Sequence, residues 1–158
     1  MFKLRDYFKD DIFLSRDEAM RELLDDKNIT SVVWNKLFRR ELWDNIRFKE
    51  GAWFEDCIVM HELLYAAQRG VYCSNKRLYN YYQRSSSVMN SGRFINVKRE
   101  IEAWECRLSF VEEYMPELSL KAKEKIVKLA IKGLLNADFH IGISKDEYIS
   151  FFEKYGVL

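Results

Sequence analysis

The sequence has little of the residues that interrupt or cross-link a chain. One proline and six glycines in 158 residues favour a compact, helix-rich fold over a loop-rich one. The three cysteines, Cys57, Cys73 and Cys106, are an odd number and lack the spacing of a disulfide framework. They predict reduced thiols, and we therefore expect a cytoplasmic protein.

Long apolar runs and several well-known site motifs are also missing. No apolar run reaches the roughly eighteen residues of a membrane-spanning helix, and the N-terminal residues alternate charge with aromatics, unlike a secretory signal. The sequence has no Gly-x-Ser-x-Gly, Gly-x-Gly-x-x-Gly or P-loop motif. No basic helix face or recognised module indicates nucleic acid as a partner. Apolar residues nevertheless make up 48% of the chain, enough for a substantial core.

Charge is balanced overall but unevenly distributed. The formal net charge is +1, whereas residues 36–99 carry twelve Lys and Arg against six Asp and Glu. A positive field of this kind suits diphosphates or anionic lipid head groups. A solvated basic face explains the same pattern equally well.

An acidic pair marks the most informative stretch, residues 46–58. A loop rich in aromatics and charge runs into Glu55 and Asp56, and apolar residues then recur at helical spacing. The pair is predicted to lie in the first turn of a helix, where unpaired N–H groups and the helix dipole favour carboxylates. Asp56 would be fixed and ionised there. The alternative is that the pair only caps the helix.

The remaining pattern predicts an α+β fold that is mostly helical. Capping boxes at Ser15–Glu18 and Ser144–Glu147 predict two helix starts, the first followed by an inner face of Ala19, Met20, Leu23 and Leu24. Short strands are predicted at 30–38, 71–73 and 77–83, and a helical turn at 39–45; Tyr79, Tyr81 and Tyr82 of the third strand are expected to pack against the helix that follows Asp56. From residue 93 the spacing predicts three helices, arranged as a hairpin and a docking helix. The residues predicted for the inner faces of the first two are Ile101, Trp104, Leu108, Val111 and Met115, and Ile126, Val127, Ala130, Leu134 and Leu135. The predicted division is therefore 1–92 and 93–158.

Several segments resemble, in their order, the C-terminal part of bacterial family-2 glycosyltransferases, which have the GT-A fold. The resemblance covers roughly half the chain, from about Ser15 to Asn90. Its segments are SVVWNKLFRREL (31–42), IRF (46–48), EG (50–51), FED (54–56), LYNYYQR (78–84) and SVMN (87–90). It implies that residues 1–92 are the acceptor-side portion of a GT-A-like domain and 93–158 a helical tail.

The resemblance also implies roles for individual residues. Asp56 takes the place of the general base that deprotonates the acceptor hydroxyl, with Glu55 as its neighbour. Trp53 can stack on a sugar, although core packing is the more common fate of a tryptophan taken alone. The residues implied on the substrate side are Trp34, Lys36, Trp53 and Arg84.

No metal site is predicted within this chain. The pairs Asp10-Asp11 and Asp25-Asp26 lack the Asp-x-Asp arrangement of family-2 enzymes, and we interpret both as surface turns. Cys57 and His61 have metal-binding spacing without a second pair, and His140 is isolated, so zinc is not expected. A nucleotide-sugar donor and Mg²⁺ or Mn²⁺ are expected only for a complete enzyme.

The family's N-terminal lobe, which holds the donor, has no counterpart in this sequence. We therefore expect the isolated chain to be inactive. Expected partners are a glycan or lipid-linked acceptor, a donor-binding lobe or further copies of the chain, and the inner face of a membrane. The alternative is a non-catalytic helical interaction or oligomerisation module on a degenerate transferase scaffold.

Overall fold

The computed structural model describes residues 8–82, 97–135 and 144–156. Helices account for 58% and strands for 5% of these residues, which confirms the mostly helical α+β prediction. The chain divides into two compact units, Met1–Asn80 and Tyr81–Leu158. None of the described helices has both the length and the apolar character needed to cross a bilayer.

The first unit is built on two helices and a small sheet. Strand β1 (Ile12–Leu14) pairs antiparallel with β2 (Val71–Cys73), so that Ile12 lies opposite Cys73 and Leu14 opposite Val71. Helix α1 (Arg16–Asp25) follows β1 directly, and helix α2 (Glu55–Ala66) precedes β2. The antiparallel pairing therefore fixes the two ends of this unit against each other.

Helix α1 begins and packs as its sequence predicts. The Ser15 hydroxyl accepts a hydrogen bond from the Glu18 N–H, and the Glu18 carboxylate accepts one from the Ser15 N–H at 2.8 Å. This reciprocal pair satisfies two N–H groups that would otherwise lack partners at the start of the helix. The helix buries the four residues predicted for its inner face, which are Ala19, Met20, Leu23 and Leu24.

Two predicted strands are wrong. Residues 30–38 have no regular structure, and neither do residues 77–82, the described part of the predicted strand 77–83. A turn bends the first segment, since the Lys36 N–H donates to the Val33 carbonyl at 3.2 Å. A strand needs a hydrogen-bonding partner, and β2 pairs instead with β1, a segment that the sequence leaves unassigned. The helical turn expected at 39–45 is confirmed as a 3₁₀ turn, Arg40–Trp43.

The second unit consists of three helices and a 3₁₀ turn. They are α3 (Val97–Tyr114), the turn Pro116–Leu118, α4 (Ser119–Leu135) and α5 (Lys145–Lys154). Helix α4 packs against both α3 and α5, in agreement with the predicted hairpin and docking helix. The predicted capping box at Ser144 and Glu147 is present at the start of α5. The stripe predicted for α3 is buried, namely Ile101, Trp104, Leu108, Val111 and Met115.

The inner face of α4 differs from its predicted composition. Leu134 and Leu135 were expected inside but are exposed, whereas Gly133 is buried. A Cβ at position 133 would meet the Tyr148 ring, with 3.0 Å to its Cζ. The glycine therefore allows Tyr148 of α5 to approach α4 closely. His140 and the predicted boundary after residue 92 lie outside the described residues.

Candidate functional site

The start of α2 has an unusual backbone that positions its acidic pair. Phe54, the residue before the helix, has a φ of 55°, and Gly51 in the preceding loop has a φ of 70°. Only glycine adopts such angles at no steric cost, so Phe54 carries some backbone strain. The chain turns sharply here, and Glu55 and Asp56 occupy the first turn, as predicted.

The two carboxylates have different surroundings. Glu55 is exposed, whereas Asp56 is half-buried. The Oδ1 atom of Asp56 accepts a hydrogen bond from the Cys57 N–H at 2.7 Å. Because this N–H lies at the positive end of the helix dipole, the bond stabilises the ionised carboxylate and orients it at the helix start.

Lys36 brings a cation into the electrostatic field of Asp56. Its ammonium donates hydrogen bonds to the Val32 carbonyl at 2.5 Å and to the Asn35 side chain at 2.9 Å. Burial lowers the pKa of Lys36 to about 8, while attraction to Asp56 and to Cys73 opposes that change. The structure thus brings together Lys36 and Asp56, two of the residues selected from the sequence.

Cys73 belongs to the same group of side chains and was not selected from the sequence. This half-buried thiol lies at the end of β2. Burial raises its pKa, Lys36 lowers it, and Glu22 on α1 raises it again. Cys73 lies 37 positions after Lys36, and no sequence spacing signals their proximity, which depends on the β1–β2 pairing.

An aromatic pair forms on the surface of the same unit. The rings of Trp34 and Tyr79 have centroids 4.7 Å apart and are tilted by 33°. Tyr79 was expected to pack against α2, but both rings are substantially exposed. Trp53 lies half-buried in the turn before α2. Arg84, the remaining predicted ligand, lies outside the described residues.

Asp11 holds the segment that leads to Tyr79. Its carboxylate accepts hydrogen bonds from the Tyr72 hydroxyl at 2.5 Å and the Asn75 N–H at 2.8 Å, and also from Ser74. These bonds lower the pKa of Asp11, with the Tyr72 bond contributing most. The acidic residue interpreted as part of a surface turn therefore also ties the end of β2 to the residues before β1.

The described residues contain no group of three or more His, Cys, Asp and Glu side chains that could hold a metal ion. Cys57 and His61, the pair with metal-binding spacing, are both buried in α2. The His61 Nδ1 lies 3.3 Å from the Cys57 carbonyl oxygen, a contact within one helix turn. Both residues belong to the core of the first unit.

Comparison with protein-family models, with curated proteins and with solved structures finds no match for this chain. The chemistry of the site therefore has to be argued from its residues. Those residues are an oriented carboxylate, a partly desolvated ammonium in its field, and exposed aromatic rings. Such a set can take a proton from a hydroxyl, attract an anion and stack on a sugar face.

Proposed function

We propose that this chain carries the acceptor side and the catalytic base of an inverting glycosyltransferase. The proposal includes a relation between residues 1–92 and the GT-A fold, with residues 93–158 as an attached helical tail. The observation that carries it is the position of Asp56, a half-buried carboxylate oriented at a helix start within the field of a lysine.

The proposed reaction is a direct displacement at the anomeric carbon of the donor sugar. Asp56 accepts the proton of the acceptor hydroxyl while the hydroxyl oxygen forms a bond to that carbon. The bond between the carbon and the nucleoside diphosphate breaks, and the diphosphate leaves with the electron pair. The Lys36 ammonium attracts the Asp56 carboxylate, and in this proposal Asp56 is ionised when the acceptor binds.

Aromatic side chains would bind the acceptor. Trp53 lies three residues before Asp56 and is only half-buried, and in this proposal its ring stacks on the sugar nearest the base. Trp34 and Tyr79 offer a second ring surface, which would contact the sugar of a lipid-linked acceptor at the level of the lipid head groups. This arrangement suits an extended acceptor better than a monosaccharide.

Binding of the nucleotide-sugar donor requires side chains other than those of the candidate site. A nucleotide-sugar and its Mg²⁺ or Mn²⁺ require acidic ligands that stand together, and the described part of the chain provides no such group. In this proposal a donor-binding lobe supplies them, and Arg84 is the residue of this chain that meets the departing diphosphate. The chain by itself is then expected to bind acceptor without transferring sugar.

The test separates binding from turnover. Glycan binding by the chain is measured with saturation-transfer NMR on a panel of oligosaccharides. Turnover is measured as nucleoside diphosphate released from nucleotide-sugars with Mg²⁺ or Mn²⁺ present, after a donor-binding lobe has been supplied. Asp56→Asn is expected to retain glycan binding and to lower turnover about a hundredfold to ten-thousandfold, the usual contribution of a general base.

Asp44→Asn is the matched control, because it makes the same substitution at an exposed aspartate of the first unit outside the acidic pair and is expected to leave turnover unchanged. Circular dichroism checks that both variants fold. Unchanged turnover in Asp56→Asn would eliminate the proposed base.

A helical interaction module is the second candidate function. It is favoured by α4, on which Ile131, Leu134 and Leu135 are exposed apolar residues close in sequence. Under this alternative the chain self-associates, and Leu135→Lys shifts it towards monomer in light scattering while glycan binding is absent. Glycan binding by a monomeric chain would contradict it.

A further inference from the structure

Four exposed apolar side chains lie on two segments of the first unit that meet through a ring contact. Trp34 is 42% exposed and Tyr79 50%, and their ring centroids are 4.7 Å apart. Each ring has an exposed leucine close in sequence, the fully exposed Leu37 and the 80% exposed Leu78. We call these four residues the apolar patch. Exposed leucines beside aromatic rings commonly mark a surface that binds a partner.

Cations predominate along the two segments that carry the apolar patch, and the Asp11 carboxylate, which binds Ser74 and Asn75, is an acidic group that contacts them. Segments 30–40 and 73–82 contain no Asp or Glu. Four exposed cations accompany the patch along these segments, namely Arg39, Arg40, Lys76 and Arg77. A partner that fits must therefore accept apolar side chains and also carry negative charge.

We infer that the apolar patch and its four cations form a docking surface for a lipid bilayer that contains anionic lipids. Leucine side chains enter the boundary between head groups and acyl chains, and aromatic rings are favoured at the level of the head groups. Arginine and lysine pair with lipid phosphates while their aliphatic stems stay in apolar surroundings. The inference holds whether or not the chain is part of a transferase.

Charge argues against two other occupants. In a symmetric dimer the same patch would face itself, so that the cations of one copy would approach those of the other. A nucleic acid would neutralise the cations but offers no apolar layer for Leu37 and Leu78. An anionic bilayer offers both negative charge for the cations and an apolar layer for the leucines.

Vesicle flotation tests the inference with the whole chain. Vesicles of phosphatidylcholine alone are compared with vesicles of phosphatidylcholine and phosphatidylglycerol, at low and high salt. Wild type is expected to float with the anionic vesicles and to be released by salt. Leu37→Ser with Leu78→Ser should weaken binding by about tenfold or more, since burial of each leucine is lost.

A double substitution of two cations tests the electrostatic contribution to vesicle binding. Arg39→Gln with Arg77→Gln should weaken binding to anionic vesicles by about twenty-five-fold, taking about fivefold for each cation near the surface. Leu120→Ser, which changes a 67% exposed leucine on α4, and Arg21→Gln, an exposed arginine on α1, are the matched controls. Both controls are expected to bind like wild type.

Fluorescence quenching locates the contact. Brominated lipids in the anionic vesicles should quench part of the tryptophan emission, and Trp34→Phe should abolish that part because Trp34 belongs to the apolar patch. The inference is overturned if folded wild type fails to bind anionic vesicles, if Leu120→Ser weakens binding as much as the patch variant, or if quenching persists in Trp34→Phe. The inference is also overturned if Leu37 and Leu78 are needed for self-association but not for vesicle binding.

Discussion

Replacing Lys36 by methionine removes a partly desolvated charge from the candidate site. Methionine retains much of the apolar stem of lysine but cannot donate to the Val32 carbonyl or to Asn35. The variant therefore changes stability in two opposing ways at neutral pH, by removing a desolvation cost and by removing two hydrogen bonds. The dependence of stability on pH isolates the first effect.

The sign of that dependence follows from the direction of the pKa change. Burial lowers the pKa of Lys36 from 10.5 to about 8 in the folded chain. Between these values the unfolded chain holds a proton that the folded chain has released, so unfolding takes up a proton. The contribution of Lys36 to the free energy of unfolding should therefore rise with pH from about 8 to about 10.5.

The magnitude follows from the same two values. The difference between 10.5 and about 8, at about 1.4 kcal/mol for each pH unit, gives an upper limit of about 3 kcal/mol. Because the side chain retains some contact with water, screening reduces the expected rise to about 1–2 kcal/mol. This is large enough to resolve in denaturant titrations.

Urea unfolding, followed by tryptophan fluorescence, measures the free energy of unfolding at a series of pH values. The difference in this free energy between wild type and Lys36→Met should change by about 1–2 kcal/mol between about pH 8 and pH 10.5. Lys49→Met, at an exposed lysine of the same unit, should give a constant difference. If the Lys36→Met difference is equally constant, the inferred desolvation of Lys36 is refuted.

Three further predictions concern the scaffold. Gly133→Ala should cost about 1–3 kcal/mol of stability in thermal unfolding, because its Cβ meets the hydroxyl and the ring of Tyr148, and Tyr148→Phe should recover part of the loss in the double variant by removing the hydroxyl contact. Asp11→Ala should speed amide hydrogen exchange in residues 71–75, which this carboxylate ties down. Glu147, whose pKa is held at about 2 chiefly by the Lys98 hydrogen bond, stabilises the fold above about pH 4.5 and loses that effect as pH falls towards 2. The stability difference between wild type and Glu147→Gln should therefore disappear near pH 2 in acid titration.

The features that could be predicted from the sequence are those set by neighbours along the chain. The capping box of Ser15 and Glu18 spans three residues, and it fixed the start of α1 correctly. Asp56 was placed in the first turn of α2 by the same kind of signal, the apolar spacing that follows it. Helical hydrogen bonds and caps connect residues three or four apart, so a short window of sequence contains both partners.

Two of the three predicted strands and part of the predicted inner face of α4 were wrong, because these features depend on distant partners. Residues 30–38 have the composition of a strand but pair with no strand in the described part of the chain, whereas β1 pairs with a segment almost sixty residues away. The burial of Gly133 depends on how closely Tyr148 of another helix approaches it. Periodicity within one segment contains no information about either contact.

The missing strand at residues 30–38 and the hydrogen bond from Lys36 to the Val32 carbonyl have the same cause. In an extended strand, residues four apart are separated by about 13 Å along the backbone, more than a lysine side chain can span. The 2.5 Å bond from the Lys36 ammonium to the Val32 carbonyl therefore requires the turn that replaces the strand. That turn holds the ammonium within the first unit, within the electrostatic field of Asp56 at the positive end of α2. Had residues 30–38 formed the predicted strand, this bond could not exist, and neighbouring side chains would alternate between opposite faces of a sheet. The candidate site thus depends on the irregular backbone at which sequence periodicity gave the wrong structure.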